Sequence, residues 1–166
     1  MNNNILLISE QQVKDLSVIQ LNVDPKLLRT SIQDVQVIKL LPVLGLDVYN
    51  KVIDQLYQKT VDSNYTVEPI ISTLYTDYII PYLVHCVLQD YVITTTYRFT
   101  NKGILKFNDT YATSLTPSEL EYAKSYHDNK ISSFKSALLR FIDENKLVEC
   151  KQDSSITEEA SGWFLE

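Results

Sequence analysis

Glycine is scarce in this chain: three in 166 residues, at Gly45, Gly103 and Gly162. Spaced so widely, they cannot build a glycine-rich phosphate loop, which needs several close together. Cysteine is scarcer still. Cys86 and Cys150 form no Cys-x-x-Cys pair and read as reduced thiols of a cytosolic protein. Histidine is limited to His85 and His127, too few ligands for zinc, and His85 and Cys86 lie about a quarter-turn apart on a helix, where they cannot grip one metal well. No Cys-His combination of these four residues matches a nucleophile motif, and a buried cysteine usually behaves as a small hydrophobe. Asp77 and Asp90 are too far apart along one helix to make an obvious carboxylate pair. Catalytic, cofactor-binding and metal-binding residues are all expected to be none, and an enzyme is not expected.

Clustered lysine and arginine are missing as well. The net charge is −6, and phosphate contacts need a basic patch, so nucleic-acid recognition is not expected. The acidity is uneven: from Pro117 onward ten acids face six bases. A solvated helix face explains that at least as well as a functional patch. Long apolar runs are absent too. Inside the most apolar stretch, the segment free of charged residues lies between Asp77 and Asp90, shorter than the ~20 residues a bilayer needs. The N-terminal MNNNILLISEQQ has no basic region ahead of its four apolar residues, so it does not read as a signal peptide. Length and ordinary apolar content leave one globular domain with a real core.

What the chain has in quantity is helical periodicity. In Pro69 to Ile93, apolar or aromatic residues fall at Ile70, Ile71, Leu74, Tyr75, Tyr78, Ile79, Tyr82, Leu83, Cys86 and Val87. Spacing by threes and fours over a wide arc predicts a central helix packed on several sides, kinked where Pro81 removes a donor for the Asp77 carbonyl. Three of the 11 tyrosines share this spacing, which favours core packing with each hydroxyl reaching an edge. Ser9 to Gln12 has the form of a capping box, and Asp24-Pro25 starts a second helix. That helix is expected to bury Leu27, Leu28, Ile32, Val35, Ile38 and Leu41, and to end at Pro42. A third is expected over Asp47 to Thr60. Thr116-Pro117-Ser118-Glu119 opens the last, which turns Leu120, Ile131, Phe134, Leu138, Phe141 and Ile142 inward and ends near Asn145.

Two segments break the helical pattern. Residues 97–107, with Asn101-Lys102-Gly103 between apolar flanks, read as a β-hairpin that needs support from the helices or a partner. The tail is polar and acidic until Gly162-Trp163-Phe164-Leu165. Aromatics on such a tether suit an anchor on another molecule, the alternative being a tail folded back on its own helices. The fold class is therefore mostly α: a small helical bundle around a long central helix with a Pro kink, a short β-hairpin and an extended C-terminal tail. Residues 1–146 form the helical domain and 147–166 the tail or arm. Candidate interface residues are Trp163, Phe164, Leu165, Lys102, Phe99 and Phe107.

Three stretches give the chain a resemblance to a known family. They are the helix, turn and helix from Gln36 to Tyr49 with Pro42 and Leu44-Gly45, the central Tyr78-Ile79-Ile80-Pro81-Tyr82-Leu83, and the run from Thr100 through Thr116-Pro117-Ser118-Glu119-Leu120 to Leu139-Arg140-Phe141-Ile142-Asp143-Glu144-Asn145. In order and spacing these resemble the head-to-tail connector (adaptor) proteins of tailed bacteriophages, including the crAss-like phages, over about Asp24 to Asn145. The acidic tail departs from the simplest adaptors. The resemblance implies a structural virion protein without catalysis, at the head–tail interface and in the host cytoplasm during assembly. Its partners would be copies of itself in a ring, usually twelve-fold, the portal protein, and the next tail or connector protein. Packaged DNA would pass through the channel without sequence-specific binding, and no membrane is involved. The competing class is a small cytosolic helical module for protein–protein interaction or regulation, using the same tail as its binding motif.

Overall fold

The computed structural model of the protein describes residues 5–19, 23–100, 103–106 and 116–148. These residues are mostly helical. Helix α1 is Glu10–Asp15, α2 covers residues 25–44, α3 is Leu46–Val61, α4 covers residues 69–96 and α5 is Pro117–Glu144. Three of the starts follow directly from sequence. Ser9 and Gln12 form a reciprocal capping box, as do Thr116 and Glu119, and the Asp24 carboxylate accepts the Lys26 N–H at 2.9 Å. Such caps satisfy backbone donors that the first helical turn leaves unpaired.

Both interior prolines are handled in the same way. The second helix does not stop at Pro42, as the sequence suggested; it runs on through Leu41–Leu44 and ends at Gly45. The reason lies one turn earlier. Residues Gln36–Leu40 form a π-helical turn, and the Leu41 N–H bonds the Gln36 carbonyl five residues back. In α4 the turn Leu74–Ile79 is likewise π-helical, with the Ile80 N–H on the Tyr75 carbonyl, just before Pro81. Widening the turn ahead of a proline relieves the clash of its ring with the preceding turn, so the helix continues. Gly45 then makes the real corner. At φ 73° and ψ 159° it receives the end of α2, donating to the Leu41 carbonyl, and its own carbonyl accepts the Tyr49 N–H of α3.

The π-helical turn also corrects the buried face of α2. Leu28, Ile32, Val35, Gln36, Leu40 and Leu44 are buried, whereas Ile38 is 69% exposed. Gln36, four residues after Ile32, lies on the face already buried; the extra residue in the turn then shifts the register so that Leu40 and Leu44 stay on that face and Ile38 turns out.

Helix α4 is the core. By length and composition its residues Pro69–Val92 could cross a membrane. Instead Ile71, Leu74, Ile79, Leu83, Cys86 and Val87 are fully buried in the core cluster, alongside side chains from α2, α3 and α5. Each such aliphatic side chain contributes about 1.5–3 kcal/mol. Along the α4–α5 seam Tyr78 packs on Phe141 with ring centroids 4.5 Å apart, and His85 stacks on Phe134 at 5.3 Å. Rising numbers on α4 meet falling numbers on α5, so the two helices run antiparallel.

Three buried glutamines tie distant segments to this core. Gln36 accepts the Leu7 N–H at 2.8 Å and donates to the Ile5 carbonyl and the Tyr49 hydroxyl, each at 2.9 Å. With the Tyr75 hydroxyl bonded to the Leu7 carbonyl at 2.7 Å, it holds the segment that buries Leu7 and Ile8. Gln55 on α3 accepts the Glu68 N–H at the start of α4. Gln89 links Lys39 of α2 to Asp128 of α5. None of these clamps is visible in a hydrophobic pattern.

Beyond α4, the backbone of Tyr97–Thr100 runs antiparallel to Gly103–Lys106, with Tyr97 opposite Lys106 and Phe99 opposite Ile104. Lys102 and Phe107 lie outside the described residues, as do Trp163, Phe164 and Leu165 of the tail.

Candidate functional site

The structure places the chemically versatile side chains along the α4–α5 seam. His85 and His127, 42 residues apart in sequence, have ring centroids only 5.8 Å apart. The Nδ1 atom of each is buried without a hydrogen-bond partner among the described residues. Burial pushes both imidazoles below the usual histidine range, and the Lys130 ammonium adds to the shift. Cys86, one residue on, is fully buried, and burial pushes its thiol up to about 11. A thiol held so firmly protonated is a poor nucleophile at neutral pH. Among the described residues no three His, Cys, Asp or Glu side chains converge as metal ligands.

Among the described residues, a groove between α2 and α5 has the shape of a binding site. Its volume is about 440 Å³, inside the ~300–1,000 Å³ range of small-molecule and side-chain pockets. Helix α2 contributes Ile38, Lys39, Pro42 and Val43; α4 contributes Tyr82; α5 contributes Lys135 and Leu139, one turn apart. The π-helical turn of α2 creates this surface. It leaves Ile38 on the rim, with Val37 beside it at 55% exposed and Leu139 facing across at 42%. The floor is fixed by the Tyr82 ring, whose hydroxyl points to the Lys39 carbonyl at 3.4 Å. Burial, and secondarily Cys86, push that phenol far above its ordinary value, so it stays a neutral hydrogen-bonding group.

The groove is apolar with a positive edge. It has two lysines and no acidic lining residue. Lys39 donates to the Gln89 side chain, which in turn donates to Asp128, and this relay fixes the lysine beside the groove. Neither Lys39 nor Lys135 has a carboxylate partner among the described residues. Such an arrangement suits an apolar or aromatic side chain flanked by acids.

Sequence reasoning did not find this groove. It placed Ile38 inside, and the lining residues are separated by up to 101 positions, from Ile38 to Leu139. Of the interface residues expected from sequence, Phe99 sits on the first strand opposite Ile104, and the other five lie outside the described residues.

Residues 40–155 match a protein family described as a family of unknown function, DUF6712, and the chain belongs to that family. The matched span includes Pro42, Val43, Tyr82, Lys135 and Leu139 of the groove and stops before Trp163. No curated protein and no solved structure matches the chain.

Proposed function

We propose that this DUF6712 member works by contact: it is a head-to-tail connector subunit of a tailed bacteriophage that assembles with its own copies into a ring beneath the portal. The observation that carries the reading is the exposed apolar strip of Val37, Ile38 and Leu139 around a groove, on a helical body that already has its own core. Apolar side chains gathered at one edge of a small domain mark a surface that another protein covers. A groove on one face, met by a different surface of the next subunit, makes a heterologous contact, and heterologous contacts form rings where the rotation between subunits closes. The motif order from Gln36 to Asn145 supports the choice of connector among contact proteins.

In this mechanism the helices form the rigid wall of the ring. The hairpin at residues 97–107 and the tail at 147–166 are the arms, engaging a neighbouring subunit, the portal or the next tail protein. Quantitative mass spectrometry of purified particles from the source tests it, counting this chain against the portal protein. A near one-to-one ratio is the expected result. Absence from particles discards the connector and leaves a cytosolic interaction module.

A further inference from the structure

We propose that the groove between α2 and α5 is the docking site for this chain's own tail, with Trp163 seated between Ile38 and Leu139 in the free subunit. The inference concerns the isolated chain and does not depend on the connector reading.

Three observations lead to it. The first is chemical fit. The groove offers apolar walls, a neutral tyrosine floor and two lysines that have no carboxylate partner among the described residues, Lys39 being held by Gln89. The tail offers Trp163, Phe164 and Leu165 among acids: over residues 149–166 there are five, Glu149, Asp153, Glu158, Glu159 and Glu166, against the single base Lys151. The acids can pair with Lys39 and Lys135 while the indole fills the apolar space; an aromatic ring of that kind buries ~150–250 Å².

The second is where the tail begins. Helix α5 ends in a Schellman motif: the Leu147 N–H bonds the Ile142 carbonyl, and Lys146 takes a left-handed φ of 50°. Leu147 thereby packs against the core, and the chain leaves from a fixed point. Leu139 lies five residues before Glu144 on the same helix, ~7–8 Å of rise. The third is reach. From Val148 to Trp163 is fifteen residues, ~50 Å when extended and ~20 Å root-mean-square as a flexible chain. Leu139 on the groove wall, ~7–8 Å of rise from the end of α5, falls within that radius.

A short tether decides for this chain over a second copy. It presents the tail at an effective concentration in the millimolar range, about a thousandfold above a micromolar solution of separate chains. At that effective concentration a site too weak to capture a separate chain at micromolar concentration still holds the tethered tail.

Trp163 is the only tryptophan, so its fluorescence reads the contact directly. The full chain is measured for emission maximum and acrylamide quenching across a wide concentration range, beside a synthetic peptide of residues 149–166. The expected result is a blue-shifted, quench-protected emission independent of concentration. Ile38→Asp and Leu139→Asp, on separate helices and both exposed, should each return the emission to that of the peptide with the helical circular dichroism unchanged. Lys135→Glu should weaken the protection, and added salt should do the same. Ile38→Gln and Leu139→Gln are milder changes at the same sites and should give a smaller loss in the same direction. Emission equal to the peptide's overturns the proposal. So does a blue shift that grows with concentration, which makes a second copy the occupant, or one that survives both groove substitutions.

Discussion

Gly45 and Lys146 are the positions at positive φ among the described residues, and they stand in opposite relation to their side chains. At Gly45 a methyl group would meet nothing within 4 Å, so space is not the constraint. The backbone is: φ 73° with ψ 159° is a region essentially restricted to glycine. Gly45→Ala should therefore cost about 1–3 kcal/mol in urea unfolding, although no contact is lost. Lys146 is the reverse case, a residue with a β-carbon in the position that closes the α5 Schellman motif. Lys146→Gly should raise stability by about 1 kcal/mol in the same assay. The turn at Gly45 was legible in the sequence. The strain at Lys146 was not, because no pattern separates the last helical residue from the first one past it.

The prediction proper to the elements concerns the α4–α5 seam. His85 and His127 lie between the two helices, against Phe134 and near Lys130, Asp128 and Tyr126. Both are held below the ordinary histidine value of 6.5, chiefly by burial. As pH falls below about 6.5 the unfolded chain takes up protons before the folded one does. The seam is thus fully stable above that pH and loses stability as pH falls toward the lowered folded values. Urea midpoints at pH 7.5 and 5.5 should differ accordingly, and a His85→Leu, His127→Leu double substitution should flatten the difference; an unchanged pH dependence would sink the explanation. At the end of the same helix, Thr116→Ala removes the capping oxygen and should cost about 0.5–2 kcal/mol. Capping boxes and proline starts are local, so the sequence displayed them. The meeting of His85 with His127 depends on how two helices pair, and periodicity gives each helix its face without giving its partner.

For the whole molecule, the mostly helical fold and the central place of residues 69–96 were legible, because a chain that buries apolar residues every third and fourth position has few alternatives. The buried face of α2 was half legible. Periodicity assumes 3.6 residues per turn, and the π-helical turn breaks that assumption from Gln36 on, leaving Ile38 outside while Leu40 and Leu44 stay buried. The groove escaped for the same reason. Removing residues 151–166 should leave the helices folded, with their circular dichroism nearly unchanged, because among the described residues the core cluster draws on positions 5–147. The connector reading adds that assembly with the portal should weaken, as measured by co-sedimentation; undiminished assembly would remove the tail from the mechanism.

A π-helical turn is also what a one-residue insertion looks like once a helix has absorbed it. The segments Gln36–Leu40 and Leu74–Ile79 each carry that surplus, and everything downstream is phased by it. Deleting one residue from 74–79 would rotate Ile80–Thr96 by about 100° against Pro69–Thr73. That would swing Leu83 and Val87 off the core together, a loss no single substitution in the helix matches. The two prolines can be replaced, but the lengths of the segments ahead of them are fixed by the phase of the whole bundle.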